Sequence, residues 1–205
     1  MVGRNGQVVR ARVIPANPNS TYQKSVRAFF SAQSARWDTL TNDQRAAWRA
    51  AAAGYMSKMR LGTNGPLTGN QFFTRVNTTL AELALDPVDS PPATPSIASP
   101  AATGLVITNT GGAAAVKLTC PTNPGTNTIV RACAPVKAGV NRTPELYKIG
   151  MQPAPAQGSS DITTLYTVKF GAPAVGTRIF VSVQLHVTGI LGQAVVFTGV
   201  VPPSA

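Results

Sequence analysis

The chain has 205 residues, enough for one large domain or two small ones. Hydrophobic residues make up 43% and charged residues only 12%, about half the roughly 25% usual in soluble domains. One histidine and two cysteines exclude a disulfide framework and a His-rich metal centre.

The net charge of +11 is unevenly spread. Residues 1–60 hold ten of the 18 basic residues (Arg4, Arg10, Arg12, Lys24, Arg27, Arg36, Arg45, Arg49, Lys58, Arg60) but two of the 7 acids, Asp38 and Asp43. A basic end favours an acidic partner, whether a protein face, nucleic acid or an anionic membrane. Residues 1–20 contain three arginines and no apolar core of seven, so no signal peptide is expected. No run of 18 apolar residues occurs, so no membrane span is expected either. Synthesis in the cytoplasm follows.

Residues 1–19 read as a basic extended arm. Asn5-Gly6 marks a turn, Gln7 to Ile14 is rich in Val and Arg, and Pro15 and Pro18 end the stretch. Such an arm has no core of its own and must lie on its own domain or on another subunit, where strand addition is a common mode.

Residues 20–86 read as a helical domain of three helices with one repeated start signal. Ser20-x-x-Gln23, Thr41-x-x-Gln44 and Thr68-x-x-Gln71 each fit the capping box, in which the hydroxyl accepts from the third backbone N–H and the Gln side chain reaches back. The first helix is expected over Ser20–Asp38, with Val26, Phe29, Phe30, Gln33 and Trp37 on one face. The second is expected over Thr41–Ala53, with Ala47, Trp48 and Ala51 as its apolar stripe and Gly54 at C′. The third is expected over Thr68–Leu85, burying Phe72, Phe73, Val76, Leu80 and Leu83, and stopped by Asp86-Pro87. Leu61 to Pro66 reads as a loop or hairpin tip.

Residues 87–103 read as a Pro/Ala-rich linker, semi-rigid and suited to spacing two bodies. Residues 104–205 read as all-β, with strands expected at 105–107, 115–119, 128–133, 146–149, 162–170, 178–187 and 194–201. In the sixth, Ile179, Val181, Val183, Leu185 and Val187 alternate with Phe180, Ser182, Gln184 and His186, which predicts one buried face. About seven short strands in about 100 residues suggest a β-sandwich. The fold class is thus α+β, an arm and a small three-helix region followed by an antiparallel sandwich. Cys120 and Cys133 could pair across neighbouring strands, but two buried free thiols are favoured.

Val175-Gly-Thr-Arg-Ile-Phe-Val-Ser-Val183 followed by Gly189 to Val200 resembles the penultimate strand, loop and last strand of fibronectin type III and immunoglobulin-like modules. Ile179 stands where that family's corner Tyr is expected, and no core Trp occurs in the early strands. Separately, Arg12-Val-Ile-Pro-Ala-Asn-Pro18, Trp37 through Thr41 to Trp48, Gly65-Pro-Leu-Thr-Gly-Asn-Gln-Phe-Phe73 and Asn77 resemble phage and prophage virion proteins over roughly residues 4–92. That resemblance implies a structural role in a particle and carries no catalytic residues.

The residues offer little convergent chemistry. His186 stands alone on a predicted strand, where it is expected to be exposed or hydrogen-bonded. The acids Asp38, Asp43, Glu82, Asp86, Asp89, Glu145 and Asp161 are scattered, and no nucleotide, hydrolase or zinc motif is present. No catalytic, cofactor-binding or metal-binding residue is assigned, no cofactor is expected, and the chain is read as a non-enzyme. An enzymatic or carbohydrate-binding β half, with Tyr147 and Tyr166 as its loop aromatics, is disfavoured because aromatics make up only 6%. Trp37 and Trp48 beside Arg36, Arg45 and Arg49 could stack bases, but plugging a helix junction is favoured.

The expected function is that of a structural, self-assembling subunit of a phage virion or similar particle, as a capsid, decoration or tail component. It would be located in the virion and synthesised in a host bacterial cytoplasm. Its partners would be copies of itself, other virion proteins, and an acidic surface or nucleic acid at the basic half. The alternative is a nucleic-acid-binding protein using that half. In either case the contact residues expected are Arg4, Arg10, Arg12, Arg27, Arg45, Arg49 and Arg60.

Overall fold

A computed structural model describes residues 19–57, 64–93, 97–122 and 127–204. The expected arm, apart from Asn19, lies outside the described residues. The chain is mixed α+β, and it divides into two compact units, Met1–Thr39 and Leu40–Ala205.

The described part of the first unit is helix α1, Thr21–Thr39. Ser20 opens it as the sequence predicts, since Gln23 N–H donates to Ser20 Oγ at 3.3 Å and Ser20 N–H donates to Gln23 Oε1 at 3.3 Å.

In the second unit, α2 (Asn42–Ala52) and α3 (Gly69–Glu82) each begin with a complete capping box, on Thr41 with Gln44 and on Thr68 with Gln71. Each cap satisfies two backbone donors that a helix start otherwise leaves open. Trp48 of α2 is fully buried, edge-on to Phe72 and Phe73 of α3 at ring separations of 5.6 and 5.3 Å. Tyr55 stacks on Phe72 at 4.3 Å. Ala52, one turn beyond Trp48, shares the buried side of α2, whereas the expected stripe residue Ala47 is exposed. The helices close to contact because Gly69 has no side chain. A Cβ there would lie 2.9 Å from the Arg49 backbone nitrogen.

The ends of α2 and α3 depart from expectation. Gly54 does not take the left-handed conformation expected at C′. It is Ala84, after α3, that does so at φ 56. Leu85 N–H donates to Leu80 O and Ala84 N–H donates to Ala81 O, a Schellman-type closure that normally recruits glycine. Between the helices, residues 55–57 and 65–67 pair through Ser57 N–H to Gly65 O and Leu67 N–H to Tyr55 O, both 2.8 Å. The loop predicted over Leu61 to Pro66 therefore has paired flanks.

The stretch after α3 is held by both helices. Buried Asn77 accepts from Val88 N–H at 2.8 Å and donates to Val88 O at 3.1 Å. Trp48 Nε1–H donates to Asp89 O at 2.8 Å. Further on, Ile97 lies against Gly192, and Pro100 and Ala102 are buried. In this structure the described residues of 87–103 run along the second unit rather than standing clear of it.

Two antiparallel sheets follow. The first has the order β1-β2-β6, from Gly104–Thr110, Ala113–Thr119 and Ser159–Asp161. The second is built on β7, Thr177–Val187. Along one side of β7 run β3 (Thr128–Ala132) and then β4 (Val136–Lys137), with β5 (Tyr147–Met151) outside β3. Along the other side runs β8, Ile190–Val200. β3 and β4 behave as one strand interrupted at Ala134-Pro135, where proline supplies no N–H for pairing. The spatial order is β5, β3/β4, β7, β8.

The core lies between the sheets. Val116 and Leu118 of β2 meet Val130 and Ala132 of β3 and Ile179, Val181 and Val183 of β7, with Ile162 and Tyr166 among them. The last two correct the sequence reading. The stretch expected as a strand at 162–170 is helix α4, Thr163–Phe170. Its Val/Thr content favours a strand, but Ile162, Tyr166 and Phe170 recur at helical spacing and fill the core from one side. Asp161 accepts from Thr163 N–H at 2.8 Å at the start of the helix. β7 is also corrected. Phe180, Ser182 and His186 are buried along with the alternate residues, so both faces of this central strand are covered.

The β7–β8 hairpin turns at Thr188 and Gly189, both with positive φ (45° and 79°), as two-residue hairpin turns require. Gly189 sits on α3. A Cβ there would lie 2.7 Å from Val76 O and 3.0 Å from Leu80 Cγ. Lys148 of β5 donates to Glu82 O at the end of the same helix.

Gly189→Ala is expected to destabilise the protein by about 2–4 kcal/mol in urea unfolding, through overpacking and a left-handed alanine. An unchanged midpoint would show that the hairpin is not seated on α3. Ala84→Gly is expected to stabilise by about 1 kcal/mol, because a left-handed alanine is relieved.

Candidate interaction surfaces

The predicted contact arginines fall into three groups. Arg4, Arg10, Arg12 and Arg60 lie outside the described residues. Arg27 is exposed on α1, where Nη1 donates to Asn19 Oδ1 at 3.4 Å. Arg45 and Arg49 lie one turn apart on α2, so they share a side of the helix. Arg45 is half-buried, while exposed Arg49 lays its stem across Gly69. The structure therefore brings Arg45 and Arg49 together and places Arg27 in the other unit. Exposed Arg75 on α3 escaped the sequence reading because a single arginine on an amphipathic helix carries no local signal.

Two arginines of the β half are tied to neutral oxygens. Arg131 Nη1 donates to Gln184 Oε1 at 2.6 Å. Arg178 Nη1 donates to Val140 O at 2.9 Å and to Asn141 Oδ1 at 2.5 Å. With 18 basic residues and 7 acids, carbonyl and amide oxygens take the place of carboxylates. These contacts cross between strands and loops.

The aromatic residues weighed for binding divide. Trp48 is sealed between α2, α3 and Asp89, so it offers no face to a base. Tyr166 is buried and its hydroxyl donates to Cys133 O at 3.0 Å, tying α4 to β3 across the core. Burial raises its pKa well beyond the ordinary tyrosine range. Tyr147 is exposed and donates to Glu145 Oε2 at 3.0 Å.

Cys120 and Cys133 are free and buried. Burial pushes both thiols up, outweighing the Gln152 amide that donates to Cys120 Sγ and the backbone bonds at Cys133. Each is held as an unreactive thiol.

His186 corrects the sequence expectation most directly. It is 2% exposed, and neither ring nitrogen has a hydrogen-bond partner among the described residues. It lies where β7 shifts register before the hairpin, paired with Leu191, and its backbone N–H donates to Asn127 O. Burial and then the charge of Lys148 push its pKa below the ordinary value. The ring is neutral at pH 7 and closed to a substrate. Among the described residues, no group of three His, Cys, Asp or Glu could hold a metal ion, and no helix is long and apolar enough to cross a membrane.

Because the folded-state pKa of His186 is depressed, the unfolded chain binds its proton first as pH falls. The stability due to the neutral ring is complete above about pH 6.5 and is lost as pH drops toward the native value. His186→Leu is expected to flatten stability between pH 7 and 5, measured as urea midpoints against pH. A parallel loss in wild type and variant would place the titration elsewhere. No protein-family model, curated protein or solved structure matches the chain.

Proposed function

We propose that the chain is a structural, self-assembling subunit of a phage virion or similar particle, and that its β half is a fibronectin type III or immunoglobulin-like sandwich. The strand orders β1-β2-β6 and β5-β3-β7-β8 support the sandwich reading, since three-on-four sheets with the last strand at an edge are the arrangement of such modules. Tyr166, reaching from α4 to Cys133 O, ties the two sides of the core where the corner tyrosine is missing.

The observation that carries the assembly reading is Phe30. It is 48% exposed on α1, and it follows Lys24 and Arg27 on the same basic helix. A large aromatic beside cations suits burial against an acidic or apolar surface of another subunit. Covering such residues at each repeat is how symmetric particles multiply one interface. The β module would tile or project from the particle.

Removing residues 1–16 is expected to abolish particle formation while far-ultraviolet circular dichroism stays unchanged. Light scattering and negative-stain microscopy across low and high salt would measure it. Particles of unaltered size after truncation would overturn the role of the arm. If the protein forms no particles and instead binds DNA or RNA with steep salt dependence, the nucleic-acid reading replaces this one.

A further inference from the structure

We infer that the outer edge of β8 is a seam along which two copies of this chain pair, β8 against β8, antiparallel across a two-fold axis. The inference deepens the assembly reading by naming the partner, and rests on it. β8 runs eleven residues, Ile190–Val200, hydrogen-bonded to β7 along one side. Among the described strands, nothing pairs with its other side.

An edge strand presents a row of open donors and acceptors, and monomeric proteins blunt such edges with lysine, proline, a bulge or brevity. The opposite edge of the same sheet is blunted. β5 is five residues long, carries Lys148, and its register breaks between Val130 and Arg131. β8 carries its register shift near the hairpin, between the Gln184–Ala194 and His186–Leu191 pairs, and from Ala194 to Val200 it runs unbroken against β7. It contains no charged residue and no proline, and it is long. Its outward face adds apolar surface, with Val196 45% and Val200 41% exposed on either side of Thr198.

Charge selects the occupant. A net charge of +11 sets two copies against one another over most of their surface. Along β8 there is no charge to repel, so identical strands meet without like charges opposed. Antiparallel pairing of a strand with itself is also self-complementary, as a two-fold interface requires. The competing occupant within this sequence is the strand-prone stretch Gln7–Ile14, which carries Arg10 and Arg12. β8 has no carboxylate to receive them, so charge complementarity favours the uncharged strand.

The test uses the full chain. Val196→Lys combined with Thr198→Lys, both at exposed positions, is expected to leave circular dichroism unchanged. It should reduce the mass in sedimentation from dimer to monomer. Single cysteines introduced at Ala194, Val196 and Thr198 are expected to give a disulfide-linked dimer at one position, because one register brings one pair to the axis. Cys120 and Cys133 are buried and do not compete. Val106→Cys on β1, with Val106 about as exposed as Val196 in the wild type, is expected to form no disulfide-linked dimer. A folded lysine variant with undiminished dimer overturns the seam, as does wild-type protein that is monomeric at all concentrations. Cross-linking as efficient at position 106 as on β8 overturns it too. Particles that persist in the lysine variant overturn the seam and leave the assembly reading standing. A β8-linked dimer that forms no particle in any salt keeps the seam and overturns that reading.

Discussion

The close approach of Gly189 to Val76 and Leu80 is the contact on which the second unit depends. A hairpin tip rarely touches a helix backbone, because most residues at the turn carry a Cβ that holds the helix away. Here the turn needs a left-handed residue and the helix needs an empty position, and glycine meets both demands at once. The ties around it are polar and local. Lys148 donates to Glu82 O at the end of α3, where the helix dipole favours a cation. Asn77 grips both backbone groups of Val88, and Trp48 grips Asp89. Together these make the helical pair, the proline-rich stretch and the sheets one compact body.

The scarcity of acids shapes the rest of the chemistry. Arg131 and Arg178 settle on amide and carbonyl oxygens, which orders strands and loops without neutralising charge. His186 is disfavoured as a cation by its burial and then by Lys148, which repels a proton there. The uncharged face along β8 is the place where a second copy is not repelled.

Much of the helical part was legible because its signals are local. Ser20, Thr41 and Thr68 with their glutamines three residues on mark three helix starts, and all three close the reciprocal bonds the pattern implies. Phe72, Phe73, Val76 and Leu80 lie on the buried side of α3 as their spacing predicts. The strands at 105–107, 115–119, 128–133, 146–149, 178–187 and 194–201 correspond to β1, β2, β3, β5, β7 and β8. The candidate contact residues were legible only as an excess of arginine. Their grouping was not, since Arg45 and Arg49 share a helix face while Arg27 belongs to the other unit.

What escaped the sequence is what depends on neighbours far along the chain. Residues 162–170 have strand-like composition, and only the space between β2 and β7 makes a helix that places Ile162 and Tyr166 in the core the better solution. The alternation in β7 predicts one buried face, but a central strand covered on both sides buries Phe180 and His186 as well. Ala84, not Gly54, takes the left-handed turn, because helix closure follows where the next segment must go rather than where glycine is available. By itself the sequence determined the helix starts, the positions of six strands and the charge imbalance, since these rest on interactions within a few residues. The tertiary structure alone decided α4, the seating of Gly189 on α3 and the burial of His186, since each is set by what packs against it from a distant part of the chain.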